Sequence, residues 1–466
     1  MKECSIYTGI LAYKNINFNF IFDKKELKLI PPEDKKSEVQ LWFLNSIEKG
    51  VYTSEDLIYI KSPLSGKSNE TGQTIIFFPS KDSVRNLGST LIISVDYYII
   101  NKYDRKKIDR IAIKGPEIDY IYPTTNALNK IDWGEDGDVI ISTRTFKETT
   151  TEKEKFKVID KECLIYFGIS VSGTYQTGKA PISLRSTMFI EFEPTDNYEF
   201  IIEILNIAKR FVQFLCYRRN IIFSNIDLSA PTKNGLHEKF ATLYRTQEDY
   251  SIETYPLEKE RLIKYEYLKG KIGKIITDIA NQNIYTEHIP ETYKLGKRIN
   301  AGRFVMITAA FEWEFKKIYP KGIKKDITTQ DAEAKVTSYI DQLINDNKGK
   351  EKKILKFLKK LIVSDNLESK IIEFGKDYGS ISNMFGDHLY NLNNETLNYK
   401  GMAKRLSEQR NHFAHGDINK EFIGLSLLDL VFLEYIIYIM QLKYFDIDDV
   451  MIKESINDLF GCHLVI

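Results

Sequence analysis

Hydrophobic residues follow two different periods along the chain, and the change falls near residue 195. Before this point, short stretches rich in Ile, Phe, Tyr and Thr are separated by turn-forming residues, which is typical of strands. The predicted strands are 74–78, 91–100, 108–113, 139–145, 164–169 and 187–192. Short strands at this spacing predict an antiparallel sandwich or a barrel-like domain over residues 1–195.

A helical period replaces this pattern after residue 195. Phe200, Ile204, Ile207 and Phe211 recur at helical spacing and predict an amphipathic helix over residues 198–219. A short strand or extended connection over 220–229 and a helical stretch over 257–281 follow. We interpret residues 196–290 as a helical connector region.

From residue 291 the pattern is helical to the end of the chain. The predicted helices are 293–319, 332–345, 350–363, 367–378, 398–415, 424–445 and 450–460. Pro320 ends the first of these helices, and Gly416 stands where a left-handed cap is expected after the fifth. Residues 291–466 therefore predict one all-α bundle, and the whole chain is predicted to be an α+β protein.

The composition limits the partners of this chain. Its 466 residues carry a formal net charge of +1, so no global field attracts nucleic acid and any such partner must meet a local patch. Residues 316–360 hold thirteen lysines against six acidic residues, a local net charge of +7. This stretch either attracts RNA phosphates or forms a solvated helix face.

The cysteines and the apolar segments indicate a compartment. Four scattered cysteines without CxxC spacing favour a reducing environment, and the first residues lack an apolar signal core. The most apolar helix, over 424–445, is interrupted by Asp429, Glu434 and Lys443, whereas a membrane span needs about 20 nearly uninterrupted apolar residues. We expect a cytoplasmic protein with no membrane partner.

The run Arg410-Asn411-His412-Phe413-Ala414-His415 is the strongest candidate for chemistry. RNA carries its own nucleophile, the 2′-hydroxyl, so cleavage needs a base, an acid and positive charge. An imidazole titrates near about pH 6.5, so His415 fits the role of base or acid. Arg410 is suited to clamp the phosphate and Asn411 to orient it. This chemistry requires no metal or cofactor and yields a 2′,3′-cyclic phosphate.

Helix geometry separates these side chains. At about 100° per residue, Asn411 and His415 lie about 40° apart around the axis, whereas Arg410 and His415 lie about 140° apart. The arginine and the histidine converge only if the arginine side chain wraps round, the helix distorts before Gly416, or a second chain contributes. A two-fold homodimer through the helical domain meets the last condition.

Other interpretations of the run remain open at this stage. Arg and His near a helix end often bind the last carbonyls and interact with the helix dipole. Arg405 and His412 form a second Arg–His pair. We select Arg410 and His415 because Asn411 completes a coherent set with them.

An acidic partner for Arg410 is predicted on an earlier helix. The sequence Phe311-Glu312-Trp313-Glu314-Phe315 places two carboxylates among aromatic residues. We predict that Glu312 faces inward and fixes the guanidinium of Arg410. The alternative is that Glu312 and Glu314 both face solvent.

The run 410–415 resembles the Arg-x4-6-His motif of HEPN domains, and the combination of a β-rich region with a HEPN-like bundle is similar to the ApeA family of bacterial anti-phage proteins. Arg410 and His415 match the two defining positions and Asn411 the polar position, whereas His412 matches none. HEPN domains often carry an acidic residue on an early helix, where Glu312 stands. The resemblance covers residues 291–466, and more loosely 1–195.

The resemblance implies a metal-independent endoribonuclease that dimerises through its HEPN domains. It also implies an enzyme restrained until infection supplies a phage-derived trigger, with residues 1–195 as a regulatory or sensing domain. The alternative from a different class is a non-catalytic RNA-binding or dimerisation protein.

Overall fold

The computed structural model describes residues 4–47, 60, 63–103, 107–133, 139–178, 180–246, 252–324, 326–363 and 365–466. The chain divides into two compact units. A strand-rich unit comprises the described residues up to 212 together with 220–254 and 272–277, and a helical unit comprises 213–219, 255–271 and 278–466. The predicted α+β class is therefore confirmed.

The strand-rich unit contains a large antiparallel sheet and a small two-stranded one, β8–β9. The strands are β1 Tyr7–Tyr13, β2 Ile16–Phe22, β3 Glu26–Ile30, β4 Leu64–Ser68, β5 Thr74–Leu87, β6 Thr90–Asn101, β7 Ile108–Lys114, β8 Leu128–Trp133, β9 Val139–Thr143, β10 Glu154–Val158, β11 Lys161–Gly173, β12 Ile182–Thr195, β13 Asn225–Pro231 and β14 His237–Arg245. All six predicted strands are present, as β5, β6, β7, β9, β11 and β12.

Six strands close into a barrel in the order β1–β2–β3–β6–β5–β4, with β4 pairing back to β1. Strict alternation along β2 produces the interior, because Ile16, Phe18, Phe20 and Phe22 are buried while the residues between them are exposed. Gly9 lies against this interior, where an added Cβ would stand 2.6 Å from the Phe20 ring. The same Cβ would stand 2.0 Å from the Lys67 carbonyl oxygen of β4, so the pairing of β1 with β4 that closes the barrel requires a glycine here.

The remaining strands extend the sheet from β6 in the order β14–β13–β7–β12–β11–β10. The region 196–290, interpreted as a helical connector, thus contains two strands of this sheet, β13 and β14, besides helices. The helices up to residue 290 are α1 Lys36–Ile47, α2 Pro116–Ile121, α3 Phe146–Thr149, α4 Tyr198–Cys216, α5 Thr254–Glu258 and α6 Ile272–Ala280.

Helices dominate the chain after residue 290. They are α7 Tyr293–Gly296, α8 Ala301–Ile318, α9 Ile327–Asp346, α10 Gly349–Val363, α11 Leu367–Asn391, α12 Tyr399–Ala414, α13 Ser426–Tyr444 and α14 Asp449–Phe460. The prediction of one helix over 293–319 is wrong. Asn300 begins a separate helix, because its side chain accepts a hydrogen bond from the Arg303 N–H at 2.9 Å as an N-cap.

The helix predicted over 367–378 continues thirteen residues further, to Asn391. Its glycines lie where neighbouring helices come close. An added Cβ at Gly375 would stand 2.6 Å from the Tyr399 ring, and one at Gly386 would stand 2.7 Å from Phe432. These glycines serve close packing and do not end the helix.

Helix α13 lies at the centre of the helical unit, since apolar side chains from Leu430 to Leu442 are buried on every side of it. The polar residues that interrupt this helix are paired. Arg405 binds the buried Asp429, Arg303 binds the buried Glu434 and Lys443 binds Asp449. Within the described ranges, no helix combines the length and apolarity that crossing a membrane requires.

Candidate active site

The run 410–415 lies at the C-terminal end of α12, which the chain leaves through a left-handed turn. Gly416 has φ +94°, and its N–H donates to the Phe413 carbonyl at 3.2 Å while the Asp417 N–H donates to the His412 carbonyl at 3.0 Å. These two bonds define a Schellman cap. The predicted glycine cap is confirmed, and His415 is the last residue before the turn.

Buried side chains hold this helix end in place. The Phe413 ring packs edge-on against Phe304 of α8 and against Phe422, with centroids 5.4 and 5.6 Å away. Gln409 is buried, and its Oε1 accepts the Ile423 N–H at 2.7 Å. The inner face of α12 and the loop after it are thus fixed together, and the opposite face is turned to solvent.

Arg410 is fixed by the predicted acidic partner. Its Nη2 lies 3.0 Å from Oε2 of Glu312 on α8, and Oε1 of the same carboxylate accepts from Lys370 Nζ of α11 at 2.9 Å. One carboxylate therefore bridges two cations from two other helices. Arg410, Lys370 and Glu312 together carry a net charge of +1, and the Arg410 side chain is 38% exposed.

Asn411 and His415, on the same helix end, are both exposed. In the part of the chain that the structure describes, no side-chain hydrogen bond joins His415 to Arg410 or Asn411. The structure thus brings Glu312 and Arg410 together and leaves the imidazole separate within one chain. The catalytic roles of these four residues stay predictions.

Arg405, the alternative arginine, is engaged in the interior. Its Nε and Nη2 each lie 2.7 Å from an oxygen of Asp429, which is fully buried and also accepts from the Tyr390 hydroxyl at 2.5 Å. This fork-to-carboxylate pair occupies the Nε–Nη2 edge of the guanidinium. His412, the alternative histidine, faces Asp417 at 3.3 Å. Of the two Arg–His pairs, Arg410 and His415 are therefore the pair better placed to meet a substrate.

Glu314 lies only two positions from Glu312, but its side chain points into the interior of the helical unit. Glu314 is 1% exposed, and its Oε1 accepts from the Tyr285 N–H at 2.9 Å and from Gln441 Nε2 at 3.1 Å. The expectation that both carboxylates face solvent is therefore wrong. Sequence reasoning missed Lys370, and no motif or spacing marks it.

A second polar cluster lies inside the helical unit. Arg303 Nη2 lies 2.5 Å from Glu434, which also accepts a hydrogen bond from the Tyr217 hydroxyl. Burial raises the pKa of Glu434 above its ordinary value although Arg303 opposes this. Burial, with help from Arg303, lowers the pKa of the adjacent His288 to about 3. This imidazole is therefore held neutral.

Comparisons with known proteins return no relative. No protein-family model matches the chain, and no curated protein or solved structure matches it.

Proposed function

We propose that this protein is an endoribonuclease that cleaves RNA without a metal ion by attack of the 2′-hydroxyl on the adjacent phosphate. The observation that supports it best is the bridge from Glu312 to Arg410. A guanidinium oriented by a carboxylate supplies positive charge for the phosphate, and an exposed amide and an exposed imidazole on the same helix end offer a hydrogen-bond donor and one proton-transfer group.

Each residue has a defined task in this reaction. His415 takes the proton of the 2′-hydroxyl as its oxygen forms a bond to phosphorus. The bond from phosphorus to the 5′-oxygen breaks, and that oxygen receives a proton as it leaves. Arg410 binds the non-bridging oxygens, whose charge grows in the transition state, and Asn411 donates a hydrogen bond to the phosphate.

Two copies of the site supply the second proton-transfer group. Since Arg410 and His415 lie on different faces of α12, a homodimer that juxtaposes two motifs provides one imidazole as base and the other as acid. Glu312 acts as a positioning residue, because it holds Arg410 and does not meet the reacting atoms.

The biological setting of the proposal is anti-phage defence in the cytoplasm. Its support is the resemblance of the motif and its helical surroundings to HEPN domains of the ApeA family. In this role the strand-rich unit restrains the nuclease until a phage-derived trigger arrives.

Cleavage of end-labelled RNA in excess EDTA tests the activity. We expect products ending in 2′,3′-cyclic phosphate, and rates at least about 100-fold lower for Arg410→Ala and His415→Ala. His412→Ala is the matched control, because it removes an imidazole from the same helix end and should cleave at the parental rate.

Two outcomes contradict the proposal. If His415→Ala cleaves RNA at the same rate as the parent, the run 410–415 is not catalytic. RNA binding without cleavage by the parent, under all triggers tried, favours the non-catalytic RNA-binding protein instead.

A further inference from the structure

Helices α9 and α10 form a hairpin that buries almost nothing of its own. They span 20 and 15 residues, and Ile344 is the one buried side chain among those described on them. A bond between Lys359 Nζ and Asp341, at 2.6 Å, joins the two helices. Helices in proteins gain most of their stability from packing an apolar face, so this hairpin lacks the usual source of support.

The hairpin carries an apolar face that is exposed. The side chains that form it are 43 to 62% exposed and recur at helical spacing on both helices: Val336, Tyr339 and Leu343 on α9, and Ile354, Phe357 and Leu358 on α10. We call these six residues the hairpin face. Large apolar patches on a protein surface mark sites of association.

The charges of the two helices are opposite. Helix α9 carries four acidic residues and one lysine, a net charge of −3. Helix α10 carries six lysines and one glutamate, a net charge of +5. A second copy of the hairpin, turned by a two-fold rotation, places each acidic helix against a basic one. Other partners match these charges less well. The negative charge of α9 would repel RNA, and an acidic protein would leave that negative charge without an opposite one across the interface.

We propose that the hairpin face is a dimerisation surface, on which two copies of this chain form a four-helix bundle with α9 of one against α10 of the other. Apolar side chains fill the seam and opposite charges flank it, as in antiparallel helical bundles. This surface is self-complementary, as a two-fold interface requires.

The hairpin also has a fixed relation to the candidate active site. It leaves the end of α8, which carries Glu312, and returns to the start of α11, which carries Lys370. Its base is tied by the Ile323 N–H, which donates to Asp365 at 2.9 Å. The hairpin is thus inserted between α8 and α11, the two helices whose Glu312 and Lys370 surround Arg410. Dimerisation through it does not depend on RNA cleavage.

Sedimentation velocity on the full chain at micromolar concentrations tests the surface. We expect a dimer for the parent, and a dissociation constant at least about tenfold higher for Tyr339→Ser with Phe357→Ser. Leu392→Ser is the matched control, since Leu392 is 69% exposed on the same unit but lies outside the hairpin. A monomeric parent, or a dimer that the double variant leaves intact, overturns the proposal.

Charge reversal tests the pairing of α9 with α10 and separates it from RNA binding. Asp331→Lys with Glu333→Lys, and Lys353→Glu with Lys356→Glu, should each weaken the homodimer at least about tenfold, and mixing the two variants should restore a dimer. Circular dichroism confirms folding of each variant. Failure of the mixture to dimerise contradicts the assignment of the surface. So does a Lys353→Glu, Lys356→Glu variant that binds RNA more weakly than the parent but dimerises as tightly as the parent.

Discussion

Two arginines five residues apart on α12 differ in burial, and this difference separates a structural residue from a candidate catalytic one. Arg405 meets a fully buried carboxylate with both arms of its fork, and a tyrosine hydroxyl completes the cluster. Arg410 meets a carboxylate that it shares with Lys370, and it remains partly exposed. The first arginine is held by a buried carboxylate and is less exposed, at 25%, whereas the second is oriented and 38% exposed.

The same contrast holds between the interior of the helical unit and the exposed end of α12. In the interior, Glu434 accepts from Arg303 and Tyr217, and Oε1 of Glu314 accepts from the Tyr285 N–H. At the helix end, Asn411 and His415 face solvent although the backbone around them is fixed by a Schellman cap. A rigid backbone that presents exposed polar side chains is what a binding or catalytic site requires.

The largest effect is expected at the buried pair. Arg405→Ala leaves the Asp429 carboxylate buried with only the Tyr390 hydroxyl, and breaking a buried pair from one side costs about 3–5 kcal/mol. Urea denaturation should show this loss of unfolding free energy. Lys404→Ala is the control, because its ammonium is exposed and should change stability by less than about 0.5 kcal/mol. Equal stability of the Arg405→Ala and Lys404→Ala variants would contradict the structural role assigned to Arg405.

A smaller effect is expected from the buried histidine. Since burial lowers the pKa of His288 to about 3, the unfolded chain gains a proton below pH 6.5 that the folded protein does not. Its contribution to stability is intact above pH 6.5 and is lost as the pH falls toward 3. Between pH 7 and pH 5 this amounts to about 2 kcal/mol.

The variant His288→Leu isolates this contribution. Urea unfolding at pH 7 and pH 5 should show a smaller loss of stability on acidification than the parent shows. The same pH dependence in both proteins would mean that the imidazole is not held neutral by burial.

The smallest effect on stability is expected at the cap of α12. Gly416 has a left-handed φ, and an added Cβ meets no atom within 4 Å, so Gly416→Ala costs only the backbone strain of about 1 kcal/mol. Gly302→Ala within α8 is the control, because an alanine there should stabilise the helix. Thermal melts check both changes, and a stabilising Gly416→Ala would contradict the cap.

The elements predicted correctly are those with strong local patterns. The apolar strand β6 and the amphipathic helix α4 are of this kind, and so is α12 with its cap at Gly416. The strands β1, β3 and β4 were not predicted, although each pairs with a strand adjacent in the chain, β1 and β3 with β2 and β4 with β5. The period of two along β2 was a usable signal, with Asn17 and Asn19 between buried residues.

The candidate site was predictable only in part. The run 410–415 follows from residue type and helical spacing, but that Glu312 and not Glu314 pairs with Arg410 is settled only by the structure. Lys370 does not follow from the sequence either, because its place beside Glu312 depends on how α8 and α11 pack. The choice between Arg405 and Arg410 also needed the structure, since only burial reveals that Asp429 occupies the former.

The most direct test of the account compares two substrates that differ in one atom. An RNA oligonucleotide and the same oligonucleotide with a 2′-deoxy sugar at the cut site are incubated with the parent and with His415→Ala. We predict that the parent cleaves only the RNA, and that His415→Ala cleaves neither although it melts at the parental temperature. Cleavage of the deoxy substrate at the RNA rate, or an active His415→Ala, would contradict the proposed mechanism.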